Sequence, residues 1–171
     1  MYSRLVGSEM CIRDSMGAAM SPFNAFMFIQ GLETLALRMR EHTSNAEKIA
    51  TYLSNHDSVE RVIYPSVMEG YAKERAEKYL TGGNGGLMGF EIKGGIEAGR
   101  KFINALEMVY HVANIGDSRS LAIHPGSTTH SQLNEEELLA AGITPGFVRL
   151  SIGLEHVDDI IADYEQALAK I

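Results

Sequence analysis

The sequence predicts an α/β protein in which one long helix precedes a smaller body of alternating strands and helices. Three observations predict it. Apolar residues recur at helical spacing from Phe23 to Leu53 with no proline inside the run. Short apolar or β-branched runs then alternate with amphipathic stretches, the pattern of sheet-plus-helix layering. The chain closes on HVDDIIADYEQALAKI, which places Val157, Ile160, Ile161, Tyr164, Leu168 and Ile171 on one broad helical face.

Residues 1–15, MYSRLVGSEMCIRDS, have neither a helical nor a strand period, and no apolar signal-peptide core before a small-residue cleavage site. Their texture is that of translated adapter read-through, so they are expected to be an artefact or a disordered tail outside the fold. Residues 16–56 are expected to hold a connecting helix. Ser21 suits the N-cap and Pro22 the first helical position. The period then runs for about 30 residues, well above the globular mean of roughly 11 to 12, and a helix of that length usually joins two bodies. Its opening third is apolar on nearly all sides and is expected to pack on something else, whereas RMREHTSNAEK carries a single apolar stripe.

Residues 57–171 are expected to form a small α/β domain. SVERVIYP reads as a strand stopped by Pro65, YAKERAEKYL as a solvated helix and TGGNGG as a mobile hinge loop or turn. LMGFEIK is a strand, GGIEAGRKFINAL a helix and EMVYHVANIG a strand region, followed by the loop-like stretch GDSRSLAIHPGSTTHSQ. In NEEELLAAG, Asn134 caps a helix and Glu137, three residues on, completes a capping box, with Gly142 as the stop. FVRLSIG is the last strand. The body thus contains about four strands and three or four helices in layers.

Of the 171 residues, 45% are hydrophobic and 22% charged, the balance of one globular domain or slightly more. The net charge is −7 and no basic run occurs, so nucleic acid is not an expected partner. No apolar stretch approaches the roughly 18 to 20 residues of a spanning helix, and no membrane partner is expected. The single cysteine, Cys11, fits a reducing compartment and can make neither an internal disulfide nor a cysteine-based zinc site.

Arg149 is the most informative residue. Period two places Phe147, Arg149 and Ser151 on one face of the last strand, with Val148, Leu150 and Ile152 on the other. A guanidinium in that position wants a carboxylate or phosphate in bidentate geometry, which makes it a candidate anchor for an acidic ligand. An internal ion pair or an exposed edge strand would explain it equally well. The stretch from Asn114 to His130 gathers hydrogen-bonding side chains around Gly116, Pro125 and Gly126, as functional loops do. His124 and His130 lack a third ligand at metal spacing, no G-x-S-x-G elbow is present, and TGGNGG lacks the Lys-Ser/Thr ending of a phosphate loop. None of the lysines sits in an apolar context of the kind that lowers an amine pKa.

Three strings, SPFNAFMFIQGLETLALRMREHTSNA, NIGDSRSLAIHPGSTTHSQL and GITPGFVRLSIGLEHVDDIIADYEQAL, resemble the C-terminal part of the Cys/Met-metabolism family of pyridoxal-phosphate enzymes. The likeness runs in the family's order over nearly everything from Gly17 to Ile171. Within the family it looks most like the O-acetylhomoserine sulfhydrylase (aminocarboxypropyltransferase) branch, beside cystathionine γ-synthase, cystathionine γ-lyase and methionine γ-lyase. The resemblance implies the small C-terminal domain of a fold-type-I, aminotransferase-like subunit behind its connecting helix. It also implies pyridoxal 5'-phosphate, bound by a large domain through a lysine in a Ser-x-Thr-Lys-type context. No lysine of this chain follows Ser or Thr. The chain is therefore expected to lack the Schiff-base lysine and to be inactive alone.

What the resemblance carries onto this sequence is the substrate-carboxylate end of the site. Arg149 in VRLSIGLE matches the family arginine that grips the α-carboxylate, and Asn114 stands where many relatives have a serine with the same task. Ser120 and Thr128, in the matching loop, complete the candidate set. The implied chemistry is γ-replacement, in which acetate leaves O-acetylhomoserine and sulfide or a small thiol adds, giving homocysteine or methionine. A homotetrameric, cytoplasmic parent is implied as well. The alternatives are a γ-lyase or cystathionine γ-synthase reaction, and a free-standing module that binds an amino acid through Arg149 or serves dimerisation.

Overall fold

The computed structural model describes residue 17 and residues 19–171. The expectations attached to residues 1–15, Cys11 included, fall outside the described residues. The chain divides into two units, Met1–Ala36 and Leu37–Ile171.

In the first unit, helix α1 spans Pro22–Glu33. Extended Ser21 caps it, its hydroxyl oxygen accepting from the Asn24 N–H at 3.2 Å, and Pro22 takes the first turn, where a missing N–H costs nothing. No residue of α1 is buried; Phe23 is 69% and Leu32 64% exposed. The single unbroken helix expected from the periodicity is not formed. Thr34, at φ −103° and ψ 0°, separates α1 from α2, Leu35–Ser54, and its N–H turns back to the Leu32 carbonyl. A β-branched residue loses side-chain freedom against the preceding helical turn, so Thr34 resists a break less than the leucines and Glu33 beside it.

The second unit is built on a five-stranded sheet in the order β1-β2-β5-β4-β3. Its strands are β1 (Val59–Ile63), β2 (Leu87–Ile92), β3 (Tyr110–His111), β4 (Leu121–Ile123) and β5 (Phe147–Ser151). Every neighbouring pair is antiparallel except β3 and β4, which run parallel. Four helices lie between or after the strands: α3 (Gly70–Tyr79), α4 (Gly95–Ala105), α5 (Glu135–Ala140) and α6 (Val157–Leu168).

The core forms where one face of the sheet meets the apolar stripes of α2, α4 and α6. Val148 and Leu150 of β5 and Phe90 of β2 are fully buried against Ala46, Ile49, Phe102, Ile160 and Tyr164. The valine, leucine, isoleucine and phenylalanine side chains among them each contribute about 1.5 to 3 kcal/mol over an exposed one. The Phe102 ring meets Phe90 edge-on at 5.5 Å, so Phe102→Ala would open a cavity costing about 3 to 5 kcal/mol. Asp163 of α6 ties the α4–β3 connection to this core by accepting the backbone N–H groups of Glu107, Met108 and Val109 at 2.9 to 3.0 Å. On α5 the capping box forms in full, and the chain turns away at left-handed Gly142 while the Ile143 N–H bonds back to Leu138.

Two local readings change. The stretch expected to be loop between Gly116 and Gln132 contains β4, whose Leu121, Ala122 and Ile123 are all buried. A short strand covered on both faces shows no alternation, so its three apolar residues carry no period-two signal. TGGNGG is pinned rather than free: the Asn84 side chain donates to Glu47 at 2.6 Å, and the Gly85 carbonyl accepts from the Tyr64 hydroxyl at 2.8 Å.

A candidate carboxylate-binding site at the end of β5

Strand β5 lies in the middle of the sheet, between β2 and β4. Its alternation sends Val148 and Leu150 into the core and leaves Phe147 and Arg149 half-buried on the other face. Arg149 pairs with Gly89 on one side and Ile123 on the other. Gly89 has no side chain because the Phe147 ring fills the space over it, where a Cβ would fall 2.4 Å from the ring.

The loop 112–120, which carries the chain from β3 to β4, lies against the end of β5. Its Gly116 N–H donates to the Ser151 hydroxyl at 3.0 Å. Arg149 reaches it with one amino group, Nη2, which donates to the carbonyls of Ala113 at 2.5 Å and Asn114 at 3.4 Å. An open depression of about 540 Å³ adjoins this contact, lined by Ala113, Asn114, Ile115, Gly116 and Asp117.

Neither of the plainer explanations for Arg149 holds. Its strand is central, and no carboxylate lies within 4.0 Å of its guanidinium among the described residues, although Arg61 and Arg100 pair with Glu91 and Glu97. The only partners of Arg149 among those residues are neutral carbonyls, while a guanidinium carries five N–H donors in a planar fork. The loop carbonyls thus orient the guanidinium without neutralising its charge.

The four sequence-predicted site residues divide. Asn114 meets Arg149 through its backbone carbonyl. Ser120 is fully buried and already bonded in both directions: its hydroxyl donates to Glu155 Oε2 at 2.9 Å and accepts the Gly153 N–H at 2.9 Å. Thr128 sits further along, where its hydroxyl donates to the His124 carbonyl at 2.8 Å and tightens the turn after β4. The geometry brings Arg149 and Asn114 together and gives the hydroxyls of Ser120 and Thr128 internal partners.

His124 is fully buried. Its Nε2 lies 2.8 Å from the Pro145 carbonyl, which can only accept, so Nε2 carries the proton and Nδ1 accepts from the Ser127 hydroxyl at 2.8 Å. Burial holds its pKa below the ordinary histidine value; the Pro145 hydrogen bond opposes the shift, and the charges of Arg100 and His111 reinforce it. With both ring nitrogens engaged it is no metal ligand, and among the described residues no group of three His, Cys, Asp or Glu could hold a metal. No helix among those residues is long and apolar enough to cross a membrane.

Residue-by-residue reading missed the supports behind β5. On α2, the His42 ring lies 2.6 Å from the Ile152 carbonyl, and the Asn45 side chain donates to the carbonyls of Gly153 and Glu155 at 3.2 and 3.0 Å. Both polar side chains are buried. A polar residue on the apolar stripe of an amphipathic helix is the one signal that could have marked them.

The family model for Cys/Met metabolism PLP-dependent enzymes matches residues 3–169. The chain is 53% identical over 161 residues to an O-acetyl-L-homoserine sulfhydrylase of Leptospira meyeri, covering 94% of this chain and 36% of that protein. It is 44% identical to an L-methionine gamma-lyase of Fusobacterium nucleatum subsp. polymorphum, covering 94% of this chain and 40% of that protein. A crystal structure from Campylobacter jejuni, assigned as an O-acetylhomoserine (thiol)-lyase and bearing a pyridoxyl-lysine phosphate group, matches with a TM-score of 0.84 at 42% identity. That match covers 98% of this chain and 41% of the other. The chain therefore spans somewhat over a third of the length of these relatives. With its α/β fold and nearly its whole length matched, it belongs to the Cys/Met metabolism family of pyridoxal-phosphate-dependent enzymes.

Proposed function

We propose that this chain supplies the α-carboxylate grip of an enzyme that replaces the γ-acetate of O-acetylhomoserine with sulfide or a small thiol. The observation that carries the proposal is Arg149: a central-strand guanidinium held in place by two neutral carbonyls, without a carboxylate partner among the described residues, beside an open depression. Two N–H groups of one fork meeting both oxygens of a carboxylate fix the amino acid's orientation as well as its position.

The residues present do not by themselves fit pyridoxal phosphate. All six lysines, Lys48, Lys73, Lys78, Lys93, Lys101 and Lys170, are exposed, and none lies in an enclosed setting. In this reading the cofactor lysine comes from the part of the relatives that the chain does not span, and the chain alone is inactive. A homotetrameric assembly and a cytoplasmic location belong to the same proposal and rest on the resemblance.

The likeness to a methionine gamma-lyase supports a second reading, γ-elimination, with the same role for Arg149. Product analysis on a full-length protein that includes this chain separates the two. Homocysteine from O-acetylhomoserine plus sulfide, without methanethiol release from methionine alone, is the expected outcome. Methanethiol release without homocysteine formation would replace the first reading with the second.

A further inference from the structure

Glu155 carries a half-buried carboxylate with no cationic partner among the described residues, and both hydrogen bonds that this carboxylate accepts come from one residue on the loop opposite. Its Oε1 takes the Ser120 N–H at 2.7 Å and its Oε2 the Ser120 hydroxyl at 2.9 Å. The Ser120 hydroxyl in turn accepts the Gly153 N–H at 2.9 Å, and the Leu154 N–H bonds the Ser118 carbonyl at 2.8 Å. Asn45 holds the carbonyls of Gly153 and Glu155 from the side of α2. The packing here leaves no slack: a Cβ on Gly153 would fall 2.2 Å from the Glu155 carboxylate and 2.4 Å from the Ser120 nitrogen.

This latch closes the far end of the loop whose near end meets Arg149. From Ala113 to Ser120 the chain has three attachments to β5 and its exit: Arg149 on the carbonyls of Ala113 and Asn114, Ser151 on Gly116, and the latch on Ser118 and Ser120. Removing the Glu155 carboxylate takes away the acceptor of both the Ser120 N–H and the Ser120 hydroxyl, which loosens this end of the loop, where the Leu154–Ser118 and Tyr110–Ser120 backbone bonds remain. We propose that Glu155 is a positioning residue for Arg149, acting through Ser120 and loop 112–120 and making no contact with the ligand. The proposal rests on the reading of Arg149 as the carboxylate grip.

The test uses the 171-residue chain, isotopically labelled, with the Arg149 Nε–H resonance followed by NMR. Sodium acetate is the probe, acetamide the uncharged control and sodium chloride the ionic-strength control. For the unsubstituted chain a saturable shift with acetate alone is expected. Glu155→Ala is expected to move the Arg149 resonance before any acetate is added and to weaken acetate binding about threefold or more, the scale of coupling within one hydrogen-bond network. Glu155→Gln is expected to restore both properties, because its amide oxygen accepts the Ser120 N–H and its amide N–H donates to the Ser120 hydroxyl oxygen. A role confined to stability would lower the unfolding midpoint and leave the Arg149 resonance where it is. Should Glu155→Ala not fold, Ser120→Ala, which removes the bridging hydroxyl, is judged by the same two readouts. An unmoved resonance with unchanged acetate affinity overturns the positioning role and leaves the grip standing. Failure of Glu155→Gln to rescue also overturns it, in favour of a direct effect of charge. Absence of any acetate response in the unsubstituted chain overturns the grip itself, and this proposal with it.

Discussion

Arg149 Nη2 donates to the Ala113 carbonyl at 2.5 Å, so the charge at the centre of the sheet is steered by a neutral backbone group. The contact orients the fork without neutralising it. In a full-length protein containing this chain, Arg149→Ala is expected to weaken amino-acid substrate binding by about 2 to 5 kcal/mol through loss of the charge-paired hydrogen bonds. Arg149→Lys keeps the charge, loses the fork and should recover only part of the affinity. Steady-state kinetics with the amino acid and its α-carboxamide as competing ligands check this. Unchanged saturation by the carboxylate would remove Arg149 from the site.

Asp163 joins α6 to a segment more than fifty residues earlier in the chain by accepting three consecutive backbone N–H groups. Asp163→Ala would leave those donors without a partner in a largely buried place, at about 1 to 3 kcal/mol for a fully buried group. A loss of roughly 2 to 4 kcal/mol in urea unfolding is expected, with a smaller loss for Asp163→Asn, which keeps one acceptor oxygen. Equal stability of Asp163→Ala and the unsubstituted chain would contradict the tie.

His124 gives stability a defined dependence on pH. Burial favours its neutral form, so the folded-state pKa lies below the ordinary 6.5. The unfolded chain then binds the extra proton first on acidification. The stabilising contribution is complete above about pH 6.5 and is lost progressively as the pH falls below that value toward the folded-state pKa. Chemical denaturation at a series of pH values should show this slope, and His124→Gln should flatten it. A slope that persists in His124→Gln would assign the titration to another group.

Pyridoxal phosphate added to the 171-residue chain should be removed completely by dialysis. All six lysines are exposed, and a Schiff base on an exposed, hydrated amine is readily hydrolysed. Absorbance near the cofactor band that survives dialysis, on a lysine identified by borohydride reduction and mass spectrometry, would show a cofactor site within this chain.

Much of the fold was legible because local rules agreed with the final packing. Ser21 and Pro22 opened α1, Asn134 and Glu137 made a capping box, and the face drawn from Val157 to Leu168 packs on the core. β4 was not legible, since three buried apolar residues do not make a period. The break at Thr34 was missed for a related reason: a continuous apolar pattern constrains which face a helix shows, not whether the backbone stays in register along it.

The sequence by itself determined that Arg149 lies on the face of its strand opposite Val148 and Leu150, because side chains alternate along extended backbone whatever lies around them. It also determined that no ordinary cofactor lysine stands in a local Ser or Thr context here. Only the tertiary structure decided that β5 is central, that Arg149 lacks a carboxylate partner among the described residues, and that the Ser120 hydroxyl meets Glu155. Each of those facts joins residues 33 to 36 positions apart or depends on the order of strands in the sheet. Hydrophobic period and capping chemistry act over a few residues, and a polar side chain's partner is settled only when distant backbone arrives beside it.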